Sequence, residues 1–65
     1  MRIQALNPYT KNKYYLKVES KGELLTLLRS INKLENQFFI FEKFQSKEFI
    51  HIHGSELKKC VFSIV

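Results

Sequence analysis

The chain has no aspartate, no tryptophan, one proline, two glycines and a single cysteine. Each scarcity excludes something. One cysteine forbids a disulfide within the chain, the usual staple of small secreted domains, so a reducing, cytoplasmic setting is expected. One Cys and two His fall short of the four ligands of a structural zinc site. With no Asp, and six Glu scattered singly along the chain, paired-carboxylate acid–base chemistry has no residues to work with. Gly22 and Gly54 stand far apart, so no glycine-rich loop exists to cradle a phosphate. No run approaches the ~18 apolar residues of a membrane span, and Met1 to Pro8 lack the apolar centre of a signal peptide. The expectation is a non-enzymatic, cofactor-free, cytoplasmic protein that does not enter a membrane.

What remains is core material and positive charge. Of 65 residues, 45% are apolar and 14% aromatic, too many for a disordered chain, and the length allows one domain spanning 1–65. Eleven Lys and Arg against six Glu give a net charge of +5, compatible with nucleic acid or an acidic surface as partner. A chain this short buries only ~60% of its unfolded surface, so its own core is marginal and association is the natural supplement.

Periodicity sets the elements. Residues 2–6 read as a strand, Asn7-Pro8 opens a loop, and residues 13–19 alternate: Tyr14, Leu16 and Val18 point one way, Lys13, Tyr15 and Lys17 the other. Ser20 and Glu23 have capping-box spacing. Leu24, Leu27, Leu28, Ile31 and Leu34 then form one helical stripe that ends near Asn36. The period returns to two over 38–44, 48–53 and 57–65, with Gly54-Ser55 predicted to close a two-residue hairpin between the last two strands. The order β-β-α-β-β-β predicts an α+β fold, an antiparallel sheet with a single helix packed on one face.

Those last strands carry apolar side chains on both faces. Phe39 and Phe41 oppose Phe38, Ile40 and Phe44, and Phe49 opposes Ile50 and Ile52. One helix shelters one face, so a second molecule is expected on the other, most simply a second copy of the chain. The candidate protein interface is Phe38, Phe39, Ile40, Phe41 and Phe44, of which only one alternating set can face outward. The alternative partner is nucleic acid, held by Arg2, Lys11, Lys13, Tyr15 and Lys17 on the N-terminal hairpin: cations for phosphates and an aromatic for a base. His51 and His53 share a strand face, and Cys60 would join them only in one register of the predicted hairpin. Residues 2–6 or 57–65 are the candidate sheet edges, the latter guarded by Lys58 and Lys59.

Overall fold

The structure is a computed structural model that describes residues 1–43 and 46–65. Five strands form one antiparallel sheet, with a long helix between the second and third: β1 (Arg2–Leu6), β2 (Lys13–Lys17), α1 (Gly22–Lys33), β3 (Phe38–Lys43), β4 (Phe49–His53), a short α2 (Gly54–Leu57) and β5 (Val61–Ile64). Across the sheet the order is β4-β3-β2-β1-β5. The α+β architecture predicted from the sequence is the one observed. Phe44 lies outside the described residues.

Alternation sorts the sheet into two faces. Ile3 and Ala5 pair with Leu16 and Tyr14, and with Ile64 and Phe62; Phe39 and Phe41 pair with Ile52 and Ile50. These side chains form one face. Beneath α1, Ala5, Tyr14, Phe41 and Ile52 of this face make a core with Ile31 of α1 and Leu57 of α2. Ile31 is the centre of the helical stripe. At 100° per residue Leu24 and Leu27 lie within 40° of it, while Leu28 and Leu34 lie about 60° to either side. The burial follows: Ile31 is buried, Leu24 and Leu27 are half-buried, and Leu28 and Leu34 reach the surface. The five-residue stripe is thus effectively three residues wide, and the helix shelters less than its leucine count promises.

The helix starts with half of the expected capping box. The Glu23 carboxylate accepts the Ser20 N–H at 3.0 Å, but the Ser20 hydroxyl makes no capping bond. The helix stops at Lys33, with Leu34 as its C-cap, short of Asn36. Upstream, Asn7 shapes the β1–β2 connection. It is buried, and its Oδ1 accepts the N–H groups of Tyr9 and Thr10 at 2.9 and 3.3 Å, a side-chain turn that frees Pro8 from any donor duty.

The predicted hairpin at Gly54-Ser55 does not form. β4 lies at one edge of the sheet and β5 at the other, paired to β1. The intervening chain turns into α2 and crosses the helix-covered face. Three causes are visible. The His53 ring accepts the Ser55 N–H at 3.2 Å and meets the Ser55 hydroxyl at 2.7 Å, capping a helical turn in place of a hairpin. Leu57 drops into the core, fully buried. Gly54 is needed for closeness and not for a left-handed φ: a Cβ there would sit 2.8 Å from the Glu35 carbonyl oxygen. An exposed Glu35–Lys58 ion pair ties the α1–β3 connection to the same segment. The pairings of His51 with Lys58 or Cys60 that a hairpin would bring are therefore absent. Residues 2–6, flanked by β2 and β5, are an interior strand and not an edge. β5 is an edge, as expected for 57–65, but Lys58 and Lys59 follow α2 and precede the strand, so neither lies on β5 itself.

Candidate interface on the open sheet face

Among the described residues, no helix lies over the second face of the sheet. Its strand residues, read from the register, are Arg2, Gln4 and Leu6 on β1, Lys13, Tyr15 and Lys17 on β2, Phe38, Ile40 and Glu42 on β3, Phe49, His51 and His53 on β4, and Val61 and Ser63 on β5. Part of each group expected from sequence to bind a different partner therefore shares this surface: Phe38 and Ile40 of one, Arg2, Lys13, Tyr15 and Lys17 of the other. The interface set splits as alternation requires. Phe39 and Phe41 belong to the covered face, Phe41 wholly buried, whereas Phe38 and Ile40 are 65% and 54% exposed.

The aromatic half of this face lies on β3 and β4. Phe49, at 70% exposure, is the most open phenylalanine among the described residues. It pairs across the strands with Glu42, next to Ile40 paired with His51, next to Phe38 paired with His53. Phe38 and His53 meet edge to face, ring centroids 5.1 Å apart. Phe49 was not in either sequence-derived set. Its parity opposite to Ile50 and Ile52 was legible, but its neighbours depend on the β3–β4 register.

The cationic half lies on β1 and β2. Arg2 and Lys17 pair directly across the two strands. The Arg2 guanidinium lies over the Tyr15 ring, 4.6 Å from its centroid, and the Tyr15 hydroxyl donates to Gln4 Oε1 at 3.0 Å. Tyr15 is buried by this covering although it belongs to the open face, so it builds the platform and is not a stacking surface. Arg2, Tyr15, Lys17, Glu42 and Phe49 line a groove of about 580 Å³ that Ser46 and Lys47 of the β3–β4 turn also border. Lys11 and Lys13 line a different cleft, with Asn12, Tyr14, Lys43 and Ile50. The five-residue nucleic-acid set is accordingly divided between two places, and Lys47 joins the half nearest the aromatic residues.

His51 and His53 do share the open face, as their spacing requires. Cys60 packs against the core on the covered side, its Sγ donating to the Glu56 carbonyl oxygen. Burial, and secondarily Glu56, push its thiol above the ordinary value, the direction of an unreactive thiol. Among the described residues no three His, Cys or Glu side chains gather in one place, and none of the helices is long and apolar enough to cross a membrane.

Fold and surface together define a small basic chain with one sheltered and one open sheet face. Comparison with family models, curated proteins and solved structures finds no match to it.

Proposed function

We propose that this chain is a binding module that takes single-stranded nucleic acid on its open sheet face. The observation that carries the reading is the adjacency of an exposed aromatic ring and cations: Phe49 and Arg2, Lys17 and Lys47 border one groove, and Ile40 and then Phe38 continue the same face along β3. Bases stack on the rings of Phe49 and Phe38, and phosphates are neutralised by Arg2, Lys17 and Lys47. A flat base needs an exposed ring and a backbone phosphate needs a cation within one nucleotide of it, which is the combination single-strand binders use. A duplex hides its base faces and leaves the phenylalanines without a partner.

The same exposed rings also suit the self-association expected from the sequence. Charge argues against packing two copies face to face. The strand residues of this face carry Arg2 and Lys17, paired across β1 and β2, against the one carboxylate of Glu42. A dry seam between two such faces would enclose an excess of like charge, at a cost of several kcal/mol per uncompensated ion. A polyanion relieves the excess that a second copy doubles.

Fluorescence anisotropy of a labelled oligonucleotide across a salt series tests the reading. With three phosphates contacted, log Kd should rise with log salt at a slope of ~2, taking ~0.7 per phosphate for single strands. Lys17→Gln should lower the slope by ~0.7. Phe49→Ala should weaken binding by ~1–3 kcal/mol, roughly 5- to 150-fold, at unchanged slope. Polyglutamate bound with the same Lys17 dependence and no Phe49 dependence would reassign the face to acidic proteins. An oligonucleotide indifferent to both substitutions would overturn the proposal.

A further inference from the structure

β4 is a sheet edge of a particular kind. The Lys43 N–H donates to the Glu48 carbonyl at 3.0 Å, and the Gly54 N–H donates to the Gln37 carbonyl at 2.8 Å. In an antiparallel ladder the bonded pairs alternate, so between these two the bonded pairs are Phe41 with Ile50 and Phe39 with Ile52. The backbone N–H and C=O groups of Phe49, His51 and His53 consequently point away from β3, toward the open edge. No proline or charged side chain interrupts Phe49–His53, although lysine, proline and bulges are the usual protections of such an edge. The opposite edge offers less. Arg2 and Val65 exchange both backbone bonds, which leaves only Phe62 and Ile64 of the four-residue β5 facing out.

We propose that β4 pairs with β4 of a second copy, antiparallel about a two-fold axis at His51. That alignment sets Phe49 against the second copy's His53, His51 against His51, and His53 against Phe49. All three outward residues of each strand then exchange both bonds, six in total, and the sheet continues to ten strands. A heterologous β4–β5 pairing would leave one edge free at each end and propagate, whereas β4 with itself closes. Charge favours this seam over the open face: β4 carries no Lys, Arg or Glu, so two chains of net charge +5 meet where neither brings a cation. Phe49, His51 and His53 also belong to the open face, so the two open faces become one continuous surface, while the pairing itself does not depend on what that surface binds.

His51→Pro tests the pairing selectively. The ring removes an N–H that points to solvent in the monomer, and proline is tolerated at such edge positions. Sedimentation equilibrium of the wild-type chain should give twice 7.8 kDa at high micromolar concentration. His51→Pro should sediment as a monomer with an unchanged circular dichroism spectrum. Should that variant unfold, His51→Lys decides: two ammonium groups across the axis should abolish the dimer and leave the fold intact. In a Cys60→Ser background, His51→Cys should form a covalent dimer with oxidised glutathione, because residues bonded across an antiparallel pair have Cα atoms ~5.5 Å apart, within disulfide reach. A wild-type monomer, a dimer unaffected by both His51 variants, or glutathione adducts without covalent dimer would each overturn the proposal.

Discussion

Replacing Gly54 by alanine probes the crossover that separates β4 from β5. The new methyl carbon would stand 2.8 Å from the Glu35 carbonyl oxygen, 2.9 Å from its Cα and 3.0 Å from its carbonyl carbon. Comfortable carbon contacts lie near ~3.5–4.0 Å, so something must move by roughly half an ångström or more. All three atoms are backbone, and no side-chain rotation relieves them. Overpacking of this kind costs about 1–3 kcal/mol, offset by less than the ~1 kcal/mol that alanine gains over glycine in a helix interior, because Gly54 opens α2. A net loss of about 1–2 kcal/mol corresponds to a fall in Tm of roughly 5–15 °C for a domain of this size. Gly22→Ala is the matched control: its Cβ would meet only the Ser20 hydroxyl oxygen, at 3.7 Å. That substitution should be neutral or stabilising by up to ~1 kcal/mol. Differential scanning calorimetry of both variants reads the contrast. Equal melting temperatures would refute the close passage of Gly54 beneath the α1–β3 connection, and with it the route of the chain over the covered face.

Asn7→Ala removes the acceptor of two backbone N–H groups at a buried position, and should cost about 1–3 kcal/mol in urea unfolding, at ~0.5–1.5 kcal/mol per hydrogen bond; a loss below that range would show that the β1–β2 connection does not depend on the Asn7 side chain. Cys60 should alkylate more slowly in the native chain than in urea at mildly alkaline pH, since burial raises its thiol above the ordinary value. The accompanying pH dependence has a definite sign. An acid whose native value is raised stabilises the fold fully below its unfolded value, ~8.5 for a thiol, and that contribution is lost as pH climbs through the native value. Tyr14, raised chiefly by burial and then by Glu56, adds a loss of the same sign near and above ~10. Stability should therefore decline from mildly alkaline pH upward, and Cys60→Ala should flatten the first part of that decline.

Much of this surface was legible in the residues. The alternation of Lys13-Tyr14-Tyr15-Leu16-Lys17 and of Phe38-Phe39-Ile40-Phe41 assigned each side chain to a face correctly, because strand parity is a local property. The surplus of apolar residues over what one helix shelters was also legible, and the exposure of Phe38, Ile40 and Phe49 is its physical consequence. The segment from Gly54 to Cys60 was not. Gly-Ser between two apolar stretches is a hairpin signal, yet Leu57 and Cys60 are also spaced as one helical turn, and the choice rests on contacts with Glu35, Gln37 and the core that are distant in sequence. Strand partners are equally non-local: nothing within Val61–Ile64 says that it pairs with β1. The edge expected within 57–65 is observed at β5, but pairing that strand with β4 hid the second edge, β4 itself. Tyr15 shows a finer limit. Its parity was right, but its burial under Arg2 depends on a cross-strand diagonal that requires the β1–β2 register.

A two-dimensional amide NMR titration of the labelled chain with a short single-stranded oligonucleotide maps residue by residue whether the open sheet face binds nucleic acid. The shifts should concentrate on Arg2, Lys17, Phe38, Ile40, Lys47 and Phe49, and leave the outer side of α1, at Leu25 and Arg29, unmoved. Shifts centred on α1, or a spectrum unchanged at saturating oligonucleotide, would contradict the assignment of the open sheet face as a nucleic-acid platform.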